Sequence, residues 1–195
     1  MKILCTICAR GNSKGIANKA LKKINNLPLI GITIKQAVAS KVFDEIVVST
    51  DSKKIQKIAK QYGAKTWFLR PASLSNDYAS KILAIRHALL SSEKYFQTKF
   101  NICVDLDITS PLRTVKDIRR SIKIFKQKKT NNLFSVCEAK KNPYFNMVEM
   151  KNKKIKLIKK IKKNNTKKKE YQTPSRRWSS FVRRQSSPRV FEMNA

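Results

Sequence analysis

Residues 1–19 constrain this chain most. Met1 to Ala9 carries Ile3, Leu4, Ile7 and two cysteines, with Lys2 its one charge, which is the composition of a strand buried on both faces. The run passes directly into Arg10-Gly-Asn-Ser-Lys-Gly15, with Lys19 just beyond. A loop at the end of a first strand that combines small residues with three cations suits a phosphate. Gly11 and Gly15 permit close backbone approach, Asn12 and Ser13 supply short polar groups, and Arg10, Lys14 and Lys19 supply charge. The dinucleotide fingerprint G-x-G-x-x-G is absent, and so is the spacing of a Walker loop. On spacing alone two readings of the loop stay open, a phosphate cradle and a solvated basic turn.

Beyond the loop, apolar runs alternate with helical periodicity. Pro28 to Ser40 has helix spacing, Asp44 to Thr50 reads as a second strand, and Asp51-Ser52 starts a helix that stops at Gly63. Ala64 to Leu69 reads as a short third strand, Asp77 to Ser91 as a helix, and Phe100 to Asp107 as a fourth strand. Val115 to about Lys128 is a further helix and Leu133 to Ala139 a fifth strand. This alternation predicts an α/β fold, a mostly parallel sheet flanked by helices and joined by right-handed crossovers. Ligands of such sheets sit at the carboxyl ends of the strands. The Arg10 loop, Ser49-Thr50-Asp51 and Asp105-Leu-Asp107 all occupy such ends, so one pocket is expected to gather them.

The 195 residues suit one sizeable core. Residues 1–150 are predicted to form one α/β domain, 151–175 a lysine-rich and mobile insert, and 176–195 the start of a further segment. The formal charge of +32 raises a nucleic-acid reading, but it is unevenly spread. Residues 1–150 hold 28 Lys and Arg against 10 acids, and residues 151–195 hold 16 against 2. In the first part the lysines fall on predicted helix faces, where a solvated surface accounts for them. The 151–169 tract has eleven lysines and no aromatic residue to stack on a base, so any polyanion binding there is expected to be weak and phosphate-driven. A two-stranded excursion is expected near Phe145 to Ile161. The four cysteines lack zinc spacing and read as buried free thiols of a reducing compartment. No signal-peptide pattern or membrane-length run is present, so the expected location is the cytoplasm.

Several stretches, taken together, resemble the acylneuraminate cytidylyltransferases, and the segment Asn142-Pro-Tyr-Phe-Asn-Met-Val-Glu149 makes the chain closest in look to the legionaminic-acid-type bacterial branch. The other stretches are Ala9-Arg-Gly-Asn-Ser-Lys-Gly-Ile16, Phe43-Asp-Glu-Ile-Val-Val-Ser-Thr-Asp51, Leu69-Arg-Pro-Ala72 with Asp77 to Ser80, Thr109-Ser-Pro-Leu-Arg113, and Arg184-Gln185 with Pro188 and Asn194. The resemblance implies a Rossmann-like sheet of the nucleotide-diphospho-sugar transferase type. It also implies an enzyme that moves CMP from CTP to a nine-carbon 2-keto sugar acid, with Mg²⁺ as cofactor and a homodimer when full length. It assigns Arg10 and Lys19 to the triphosphate, with Gly11, Asn12, Ser13, Lys14 and Gly15 around it. Arg70 and the strand end near Asp107 are assigned to the cytidine, and Arg184, Gln185 and Asn194 to the sugar acid.

Asp105 and Asp107, two apart in a strand, project to one face and are candidates to hold Mg²⁺. An internal salt bridge is the alternative for Asp105, and for Asp107 a contact to the cytosine amino group. Arg113 reads equally well as a brace for its turn, and His87 as structural. Ala20 and Lys81 depart from the family's usual Asn and Ser. Members also continue past the equivalent of Asn194 into a strand and an Asp-x-Asp pair, so the chain is expected to be a truncated form. The rival readings are an octulosonate-type or other sugar nucleotidyltransferase, an inactive fragment, and a basic nucleic-acid-binding protein.

Overall fold

The computed structural model describes residues 1–13, 15–128, 130–136, 148–151, 154–157 and 177–184. The first strand, β1 (Ile3–Cys8), is buried at every position. It leads through a 3-10 turn at Lys19–Leu21 to a short hairpin, β2 (Lys23–Ile24) and β3 (Leu27–Pro28). Next come α1 (Leu29–Ser40), β4 (Glu45–Ser49), α2 (Lys53–Gln61), α3 (Lys81–Tyr95), β5 (Ile102–Asp105), α4 (Val115–Lys128) and β6 (Asn132–Val136). Three further strands are β7 (Val148–Lys151), β8 (Lys154–Leu157) and β9 (Arg177–Arg184). The chain divides into two compact units, residues 1–135 with 178–195, and residues 136–177. In the second unit β7 and β8 pair as an antiparallel hairpin, within the stretch where the sequence predicts a two-stranded excursion.

The main sheet has the order β4-β1-β5-β9-β6. β1 lies parallel to both β4 and β5, which puts it at the centre of the sheet's parallel part and explains its continuous burial. Its side chains alternate between two layers. Ile3, Cys5 and Ile7 pack with Ile30 and Ile34 of α1, Ile55 of α2, and Ile118, Ile122 and Phe125 of α4. On the other face Leu4 packs with Val47, Leu89 and Phe100, and Cys8 packs with Ala84 and Ile85 of α3. Helices therefore cover both faces, the arrangement that the strand–helix alternation predicts.

Helix ends follow local chemistry. Ser52 caps α2 by accepting from the Ile55 amide at 3.4 Å. At its other end Gly63, with φ 92°, donates to the Lys60 carbonyl, and Ala64 donates to the Ala59 carbonyl, which is a Schellman stop. Before α4, Thr114 and Asp117 cap each other. The Asp117 amide donates to Thr114 Oγ1 at 3.2 Å, and Asp117 Oδ2 accepts from the Thr114 amide at 2.9 Å.

Three expectations are corrected. The stretch 64–69 forms a single parallel bridge, Lys65 to Val47, because its backbone bonds to β4 end there and Trp67 and Phe68 turn into an aromatic cluster with Phe96. The helix after it begins at Lys81, not at Asp77, since Asn76 and Asp77 are held in a turn by Arg10. Asp107 lies two residues past the end of β5. The antiparallel β9, inserted between β5 and β6, has no counterpart in the sequence reading.

Candidate active site

The carboxyl ends of β1 and β5 open into one cavity of about 270 Å³, close to the small end of ligand pockets (~300–1,000 Å³). Arg10, Ser13, Lys19, Arg70, Lys81 and Asp107 all line it, with Asn76, Asp77 and Thr109. The loop after β1 is pinned from β4: the Gly11 amide donates to Asp51 Oδ1 at 2.7 Å. A Cβ on Gly11 would stand 3.0 Å from the Ser52 Cβ, so any larger residue there would have to push the two loops apart by a few tenths of an ångström. Gly11, Asn12 and Gly15 belong to this loop without lining the cavity. Lys19 lines it from the 3-10 turn, anchored by the fully buried Ala20, the position where the family usually has Asn.

Each pocket arginine is held by protein groups. Arg10 donates from Nη1 to the Asn76 carbonyl at 3.0 Å and pairs with Asp77 at 3.0 Å; both side chains are about a third exposed. Such an exposed pair contributes only ~0–1 kcal/mol, so a phosphate can displace it at small cost. Arg70 is 6% exposed; its amide donates to the Thr50 carbonyl and its Nε to Ser75 Oγ at 3.1 Å. It therefore clamps its loop and lines the cavity at once.

The densest electrostatics surround Lys81, the first residue of α3. Its Nζ lies 2.7 Å from Asp107 Oδ2 and 2.9 Å from Asp105 Oδ2. The contact to Asp105 is a charge contact and not an aligned hydrogen bond. Asp105 Oδ1 accepts from Thr6 Oγ1 at 3.1 Å, and Asp107 Oδ1 accepts from the Thr109 amide and hydroxyl at 2.8 and 2.7 Å. Burial would depress the Lys81 pKa, but Asp105 and Asp107 overturn that and hold it well above the usual lysine range. Burial raises Asp105 despite Lys81. In Asp107 the push of burial is outweighed by Lys81 and Thr109, and its carboxyl stays below the usual range.

Lys81 is the pocket residue that sequence reasoning passed over, having noted it only as a departure from a usual serine. One signal was available. A cation in the first turn of a helix with no acid there faces the positive end of the helix dipole and needs carboxylates from elsewhere. Asp77, Asn76 and Thr109 were likewise not singled out as site residues.

The expectation that Asp105 and Asp107 hold Mg²⁺ does not fit this arrangement. Both carboxylates already face an ammonium, and their other oxygens accept from Thr6 and Thr109. Among the described residues no group of three or more His, Cys, Asp or Glu side chains is placed to hold a metal ion.

Arg184 lies in β9, opposite Ile102 in the register of β9 on β5. Lys14, Gln185 and Asn194 lie outside the described residues. Arg113 braces its turn: Nη2 donates to the Asp107 carbonyl at 2.7 Å and Nη1 to Gln36 Oε1 at 3.2 Å. His87 stands edge-on to Phe68, its pKa lowered by burial and by Arg70. Cys5 and Cys8 are buried free thiols, pushed up by burial and then by Asp105, which makes them poor nucleophiles.

Residues 4–190 match the Cytidylyltransferase family. This chain belongs to that family. Its membership makes it a nucleotidyltransferase. Among similar proteins, post-translational flagellin modification protein B of Campylobacter coli is 44% identical over 194 residues, covering 100% of this chain and 75% of the relative. CMP-N,N'-diacetyllegionaminic acid synthase of Campylobacter jejuni subsp. jejuni serotype O:2 is 43% identical over 194 residues, with the same two coverages. A solved CMP:2-keto-3-deoxy-manno-octonic acid synthetase complexed with CTP superposes with a TM-score of 0.57 at 20% identity, over 70% of this chain and 52% of that one. That last likeness supports the fold alone. Among the described residues no helix is long and apolar enough to cross a membrane.

Proposed function

We propose that this cytidylyltransferase moves CMP from CTP to the anomeric hydroxyl of a nine-carbon 2-keto sugar acid of the legionaminic type. The hydroxyl oxygen attacks the α-phosphorus, the bond to the β-phosphate oxygen breaks, pyrophosphate leaves, and the hydroxyl proton passes to solvent. Such a transfer asks for alignment and charge neutralisation more than covalent chemistry. The observation that carries the reading is the convergence of Arg10, Lys19 and Arg70 on one cavity beside Asp107. The sugar class is supported by the 43% identity to the legionaminic acid synthase.

In this reading Arg10 and Lys19 bind the triphosphate, and the loop of Gly11, Asn12, Ser13, Lys14 and Gly15 shapes its seat. Arg70 and Asp107 serve the cytidine. Mg²⁺ belongs to this reading as the cofactor that would neutralise triphosphate charge; Asp105 and Asp107, already paired with Lys81, would not hold it. Arg184, Gln185 and Asn194 are assigned to the sugar acid on the family resemblance alone. A homodimer, a cytoplasmic location and weak polyanion binding through 151–169 belong to the same reading. The test is pyrophosphate release with CTP and N,N'-diacetyllegionaminic acid. Release that needs both substrates supports it, and release with UTP or ATP at an equal rate contradicts the cytidine assignment.

A further inference from the structure

Two buried carboxylates at the end of β5 would ordinarily invite a divalent ion. Here the balance of charge is already closed. Asp105 and Asp107 contribute two negative charges, Lys81 contributes one positive charge in contact with both, and the Arg113 guanidinium, buried behind them, donates to the Asp107 carbonyl. A divalent ion added to this neutral quartet would bring uncompensated charge into a buried site, where desolvation opposes it. The ligand sphere is closed too. Mg²⁺ demands near-octahedral oxygens, whereas Asp105 Oδ1 is taken by Thr6, Asp107 Oδ1 by Thr109 twice, and both Oδ2 atoms face the ammonium.

We propose that Lys81 is the resident cation of the β5 carboxylate pair, standing where a divalent metal would otherwise bind, and that it is a positioning residue that fixes Asp107 at the wall of the nucleotide cavity. The metal-exclusion half is independent of which sugar acid is used. The positioning half rests on the cavity being the nucleotide site. The site therefore presents strand-end carboxylates to its ligand only through a fixed internal ion pair, and any divalent ion used in the reaction is held elsewhere.

The experiment is a Mn²⁺ titration of the nucleotide-free full chain followed by electron paramagnetic resonance, which reads free hexaaqua Mn²⁺. Wild type and Asp107→Asn are expected to leave the same free signal. Lys81→Ala should remove one further equivalent per chain, and Lys81→Ala with Asp107→Asn should return to the wild-type curve. A wild-type Mn²⁺ site that Asp107→Asn abolishes would overturn the proposal, and that comparison decides the matter even if Lys81→Ala fails to fold. A folded Lys81→Ala that gains no site would also overturn it. For the positioning role, CTP affinity should fall at least tenfold in Lys81→Ala and stay within a few fold of wild type in Lys81→Arg, which keeps the cation. Equal CTP affinity in wild type and Lys81→Ala would reduce Lys81 to a structural partner. Wild-type chain that binds no CTP at all would instead indict the proposed function.

Discussion

Asp107 splits its two oxygens between two jobs: Oδ2 holds the Lys81 ammonium at 2.7 Å, and Oδ1 ties down the Thr109 amide and hydroxyl. One side chain thereby joins the start of α3 to the turn after β5, and all three residues line the cavity. The pair is buried enough for its loss to be felt, since Lys81 is 19% exposed and Asp107 12%. Removing only the cation, as in Lys81→Met, leaves two buried carboxylates and is expected to cost ~3–5 kcal/mol. Neutralising all three, as in Lys81→Met with Asp105→Asn and Asp107→Asn, should cost less than the single change. Urea denaturation of the two variants checks this; a triple variant less stable than Lys81→Met would show that the charges are not what the cation serves.

Arg10 and Lys19 are expected to act on triphosphate charge. Arg10→Ala and Lys19→Ala should each weaken CTP binding by roughly 1.5–3 kcal/mol, the range for hydrogen bonds to a charged group, with little change in melting temperature. Isothermal titration calorimetry with CTP measures it. Undiminished affinity in both variants would return the loop to a solvated basic turn.

The anchor between the loops gives a separate handle. Asp51→Ala removes the acceptor of the Gly11 amide, and Gly11→Val drives a branched side chain against Ser52. Both should weaken CTP binding at least several fold by displacing the loop, although Asp51 does not line the cavity. Nuclear magnetic resonance shifts confined to residues near 9–19 and 50–52 would locate the change. CTP titrations indistinguishable from wild type would mean that the loop needs no such anchor.

His87 makes stability depend on pH with a definite sign. Burial and the nearby Arg70 lower its folded pKa below the ordinary 6.5, so the unfolded chain binds the proton more readily. The neutral imidazole thus contributes stability above pH 6.5 that is lost as pH falls from there through the folded value. Thermal melts across this interval should show a shallower slope for His87→Gln than for wild type. Parallel slopes would refute it.

Much of this was written in local pattern. The largely apolar run of β1, the cap at Ser52, the stop at Gly63 and the helix from Val115 to Lys128 are written in residues close together in sequence, so spacing reveals them. The cavity was legible in part: strand ends in a parallel sheet share one edge, so the Arg10 loop and Asp107 meet there, whereas Ser49, Thr50, Asp51 and Asp105, expected in the same pocket, do not line it. Lys81 was not, because its partners Asp105 and Asp107 lie 24 and 26 residues away and only the packing of α3 against β1 brings them together. The 64–69 stretch has strand composition, but its aromatic residues are used in packing and its ladder stops at Lys65. β9 illustrates the remaining difficulty: its antiparallel register on β5, which sets Arg184 opposite Ile102, leaves no local signal in the sequence.

The most direct test of cytidylyl transfer at this cavity is a pyrophosphate-release assay on the purified chain, with CTP and a legionaminic-type sugar acid, in wild type and Arg10→Ala. The account predicts release that requires both substrates, is selective for CTP over UTP, and falls at least tenfold in Arg10→Ala. Sugar-dependent release that is undiminished in Arg10→Ala, or no release from wild-type chain that binds CTP, would contradict it.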